Sequence, residues 1–202
     1  MKLPEGGHSG KFETASVAYF TSMPIDWRKI AYEIGALNPD GSEKGSGTSS
    51  GLRALELLLG EENIRSAVDW WVSGEPGAFT AEMVLRIIRS TVAMNYCYEI
   101  YKAEPGTRRS GAAVFLLYEM ADDRVLPWVA EFLEDASMTV RWNGVMALQN
   151  ILAGPLDDDG IATAKQLLAR ARSSDPDERV REKATEVHNR LASDPSLRHL
   201  CL

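Results

Sequence analysis

Four groups of residues in this sequence have types and spacings that suggest chemistry. Asp157, Asp158, Asp159 and Gly160 run together like the start of a calcium loop. They lack the twelve-residue spacing and the closing bidentate glutamate such a loop needs. Acidic residues before a helix also cap its N–H groups and suit its dipole, and that is the reading adopted here. Arg86, Arg89, Arg108 and Arg109 are close enough in sequence to form a basic strip. His199 and Cys201 are near neighbours, but two ligands do not make a zinc site, so no metal is expected. No nucleophile elbow, phosphate-binding loop, zincin helix or dinucleotide fingerprint occurs, so no catalytic residue and no cofactor is expected.

The fourth group is Trp142, Met146 and Asn150, at i, i+4 and i+8 of one helical face. An aromatic ring and a thioether on an accessible face suit a partner-binding hot spot. They suit packing on an adjacent helix equally well, and the sequence leaves both open. The matching positions one segment earlier are Ser110, Val114 and Tyr118. Trp70 and Trp71 place two large rings side by side, at least one of which belongs in a core.

The bulk properties narrow the class. The chain of 202 residues carries a formal net charge of −7, with 45% hydrophobic and 25% charged residues. That is a soluble composition, and the acidity is spread along the chain. Proteins that hold duplex nucleic acid usually show a basic footprint, so nucleic acid is not the expected partner. Cys97 and Cys201 form no C-x-x-C pair, which fits a reducing, cytoplasmic setting. No apolar run is long enough for a membrane span.

These residues must be positioned by helices. Residues 1–50 read as an N-terminal extension, with one helix over Asp26–Leu37 and a Gly/Ser-rich loop over 38–50. Val17–Met23 is a weak apolar stretch without an assignment. From residue 51 to 202 the pattern is a helical repeat domain. Leu52, Leu55, Leu58 and Leu59 make one face, stopped by Gly60. Helices then follow at about 62–73, 79–91, 93–103, 107–121, 124–134, 139–153, 160–173 and 178–192. Gly and Pro clusters and Asp122–Asp123 separate them.

Two of these helices repeat each other at a spacing of forty residues. Val140 aligns with Val180, Arg141 with Arg181, Gly144 with Ala184, Ala147 with Val187 and Ile151 with Leu191. With Arg109 set on Arg141, Ala112 falls on Gly144. Small residues at that position let neighbouring helices approach, and branched residues fill the seam. A lone helix pair cannot bury its apolar face, whereas a stack of pairs can. The fold class is therefore all-α, built of about four helix pairs at 61–91, 92–121, 122–153 and 158–193 behind an N-terminal helical cap.

The stretch LPWVAEFLEDASMTVRWNGVMALQNIL resembles a HEAT repeat, and SSDPDERVREKATEVHNRL has the same form. The resemblance implies an α-solenoid that binds other proteins, with the second helix of each pair on the concave face. It also implies that Arg141 and Arg181, with Asp135 and Asp175, clamp neighbouring repeats instead of binding a ligand. The run Glu62–Lys102 is similar to small standalone bacterial HEAT proteins of toxin–immunity loci. That likeness implies a protein partner, a bacterial toxin that the chain would bind and neutralise. HEAT-like DNA glycosylases hold DNA on a basic strip, so a nucleic-acid binder or glycosylase is the alternative. A scaffold subunit of an enzyme complex is a further alternative.

Overall fold

The computed structural model describes residues 25–42, 44 and 48–193. Val17–Met23, His8, His199 and Cys201 lie outside that set. Helix α1 (Trp27–Glu33) starts at Asp26, whose carboxylate accepts from the Lys29 N–H at 2.9 Å. The expected helix to Leu37 stops early because Gly35 takes φ +73°, a conformation that ends helices. Helix α2 (Thr48–Leu59) packs on α1 and begins inside the segment expected to be loop, so the boundary drawn at residue 50 cuts through it.

Four pairs follow: α3 (Glu61–Ser73) with α4 (Ala78–Ile88), α5 (Thr91–Ala103) with α6 (Arg108–Met120), α7 (Leu126–Leu133) with α8 (Met138–Leu152), and α9 (Asp158–Ser174) with α10 (Glu178–Ser193). These are the four units expected from the repeat. Helix α4 was expected to reach residue 91. It ends at Ile88, because Arg89 turns left-handed at φ 43° and Ser90 caps α5 by accepting from the Ala93 N–H. Asp157 caps α9, accepting from the Gly160 N–H at 2.7 Å, with Asp158 and Asp159 in the first turn.

The second helices pack in order, α4 on α6, α6 on α8 and α8 on α10. In the other row α3 packs on α5 and α7 on α9. One continuous apolar core runs from Ile64 to Leu191. Val140, Gly144, Ala147 and Ile151 on α8 are buried, as are Val180, Ala184, Val187 and Leu191 on α10. Each large apolar side chain so buried stabilises the stack by about 1.5–3 kcal/mol. Gly144 marks a close crossing of α8 with α7. A Cβ there would lie 3.2 Å from Phe132 Cβ and from Leu133 Cδ2. Among the described residues no helix is long and apolar enough to cross a membrane.

Candidate protein-interaction surface

The turn residues of the last two pairs share one geometry. Arg141 donates to the Asp135 carbonyl at 2.9 Å, and Arg181 donates to the Asp175 carbonyl at 2.6 Å. Asp135 accepts from the Ser137 N–H, and Asp175 accepts from the Asp177 N–H. Arg141 then reaches across to the next pair, where its Nε lies 2.9 Å from Asp175 with both side chains buried. The opposite charges are desolvated together, which an Arg fork tolerates because its remaining N–H groups meet carbonyls. Asp135 is tied to the preceding pair differently, by the Tyr101 hydroxyl at 3.0 Å. Among the described residues the Arg181 guanidinium has the bond within its own turn and none to another pair.

The four expected arginines form no free strip. Arg86 sits 2.9 Å from Glu119 and 3.5 Å from Glu82, and Arg109 bonds Asp69 and Glu104. Arg89 and Arg108 have no ion pair among the described residues. Those residues also hold no cluster of three or more metal-ligating side chains.

Of the residues expected to receive a partner, Trp142, Met146, Asn150 and Tyr118 are half-buried. Asn150 donates to the Tyr118 carbonyl at 2.8 Å, so it fastens α8 to α6. Lys183 stands 5.9 Å above the Trp142 ring. Burial, together with the neighbouring Glu119 carboxylate, pushes the Tyr118 phenol up to about 12. Ser110 and Val114 are a correction. Both are 1% exposed and cannot touch a partner. Helix α6 is packed by α3, α4, α5 and α8, so the register carried over from α8 points these two inward.

A larger open surface lies on α4, where the sequence reading placed none. Its inner face buries Ala78, Glu82, Leu85 and Ile88. The opposite face bares Phe79 at 76%, Met83 at 52% and Ile87 at 62%, with Val84 beside them at 41%. Phe79, Met83 and Ile87 follow one another at i, i+4 and i+8, a single stripe along the helix. Apolar residues stand on both faces of AFTAEMVLRII, Leu85 and Ile88 on one and Phe79, Met83 and Ile87 on the other, and that was the signal available in the sequence.

Phe79 also begins a row of rings. It meets Trp71 edge-on at 5.9 Å, Trp71 lies 5.6 Å from Phe115, and Phe115 lies 5.0 Å from Tyr118. The Trp71 indole donates to the Ala112 carbonyl at 3.1 Å, which fixes the row to α6. Trp71 is the ring packed on the core. Trp70 stays exposed and donates to the Pro76 carbonyl over the α3–α4 turn.

No curated protein and no solved structure matches the chain. A family model does match: that of HEAT repeats, over residues 100–188, from the last turn of α5 into α10.

Proposed function

We propose that the chain is a non-catalytic protein-interaction scaffold whose partner seats on the α4 stripe and the adjoining row of rings. HEAT repeats as a class are protein-binding architecture. The observation that carries the choice of surface is the exposure of Phe79, Met83 and Ile87 in one line. Exposed contiguous apolar patches rimmed by polar residues mark interaction sites, and aromatic side chains dominate binding energy there. Within this class we favour an immunity protein that binds and neutralises a cognate bacterial toxin. The net charge of −7 supports that finer reading, because an acidic scaffold steers onto a basic toxin.

The surface is tested by capture of partners from the native cell with wild type, Phe79→Asp and Trp142→Ala. A partner lost with Phe79→Asp and kept with Trp142→Ala supports the α4 surface. The reverse result assigns binding to α8. The immunity reading is tested by co-expression with a toxin encoded beside this chain. Failure to protect the host overturns it and leaves the scaffold reading standing.

A further inference from the structure

The N-terminal end of the α4 stripe opens into a pocket of about 440 Å³, lined by Trp71, Ala78, Phe79 and Ala112, with Glu75 and Arg108 among the polar groups. Its dimensions suit one large apolar side chain and a small polar group beside it. Arg108 is the first residue of α6, and its guanidinium lies over the turn before α4, with Nη2 3.0 Å from where a Cβ on Gly74 would stand. Gly74 is left-handed at φ +73°, so this approach of cation to backbone depends on glycine. Glu75 lines the same pocket, but neither it nor any other described carboxylate is ion-paired with Arg108. By contrast the adjacent arginines, Arg86 and Arg109, are each bonded to two carboxylates.

Resting on the proposed scaffold function, we infer that the partner presents an amphipathic helix whose apolar row lies on Phe79, Met83 and Ile87 and whose acidic residue, at one end of that row, pairs with Arg108. The stripe has helical pitch and spans two turns, so an apolar row at i, i+4 and i+7 or i+8 matches it side chain for side chain. An acidic group at the pocket meets a guanidinium beside aromatic walls, where exclusion of water strengthens the pairing. A basic group there would face Arg108 with like charge, which gives the surface its selectivity.

The test is selection from a phage library of random 16-residue peptides on the full-length chain, in wild type, Phe79→Asp and Arg108→Glu forms. Arg108→Glu puts an acidic residue in the first turn of α6, where the helix dipole favours it, and unchanged thermal melting verifies that it folds. Wild type is expected to enrich peptides with the apolar row and a flanking Asp or Glu. Their affinity should fall roughly tenfold with Arg108→Glu and return when the peptide acid is changed to Lys.

Phe79-dependent peptides with no acidic preference and no response to Arg108→Glu overturn this inference but leave the α4 surface intact. Absence of any Phe79-dependent peptide overturns both. Two other occupants are read in the same preparation. A concentration-dependent dimer dispersed by Phe79→Asp assigns the stripe to a second copy. Stronger peptide capture by full-length Phe20→Asp assigns it to the chain's own N-terminal segment. Either result overturns the partner helix.

Discussion

Arg141 and Asp175 lie thirty-four residues apart in sequence and meet with both side chains buried, so each depends on the other for its solvation. Removing one partner strands a charge, and Arg141→Ala is expected to cost about 3–5 kcal/mol of stability in urea unfolding. Arg181→Ala removes a charged donor from one carbonyl at a half-buried position and should cost about 1.5–3 kcal/mol at most. A cost for Arg141→Ala no greater than that of Arg181→Ala would show that the cross-pair bond does not hold the stack. The sequence made this pair legible because the two arginines recur in register. It could not show that only Arg141 crosses to the next pair, since α10 is followed by no further described turn. Tyr118 supplies a pH handle. Its phenol titrates near 12 in the folded chain, mainly through burial, against about 10 when exposed. A raised pKa means that the stabilisation is whole below pH about 10 and is lost as pH climbs toward 12. Tyr118→Phe should therefore flatten the alkaline limb of the stability curve, measured by unfolding at stepped pH. An unchanged limb would place the alkaline sensitivity elsewhere.

At the scale of single helices, α4 and α8 are opposites. Helix α8 is enclosed by α6, α7, α9 and α10, and at Gly144 it lies close against Phe132 and Leu133 of α7. Gly144→Val would gain helix propensity but press branched carbons into Phe132 and Leu133, with an expected loss of about 3 kcal/mol. An unaltered melting temperature for that variant would mean that α7 can shift aside. Among the described residues helix α4 is packed on one face only. Leu85→Ala on that face should cost about 2–5 kcal/mol, while Met83→Glu on the bare face should stay within about half a kcal/mol of wild type. Both values come from the same denaturation experiment, and a large loss with Met83→Glu would mean that the outer face is covered in the free chain. Helix positions were legible because apolar periodicity and Gly or Pro breaks agree. The end of α4 was not, because Arg89 turns left-handed without being glycine or asparagine, and no local rule marks it. The α4 surface escaped the sequence reading because Leu85 and Met83 look alike in a string. Only the packing of α3 and α6 decides which is inside.

Across the whole molecule, polar bonds between neighbouring pairs recur at nearly constant separation. Arg65 donates to Glu99, Tyr101 to Asp135 and Arg141 to Asp175. Stacked units with a similar rise repeat their contacts at similar sequence distance, which is why the fold was readable from a short alignment. The partner surface was not readable that way, because it lies where the repetition is broken at the first pair. The same carboxylates that hold the stack also neutralise its arginines. Arg65, Arg86, Arg109, Arg124, Arg141, Arg170 and Arg179 are each ion-paired, and the total charge stays at −7. Duplex DNA is held by several unpaired cations that displace condensed counterions, and affinity then falls steeply as salt rises. With those seven arginines engaged internally and a net charge of −7, this chain is expected to give a flat titration against duplex DNA even at low salt, followed by fluorescence anisotropy. Binding that weakens with added salt, and weakens further in Arg86→Gln and Arg109→Gln, would mean that those ion pairs open to receive phosphate and would restore the nucleic-acid reading.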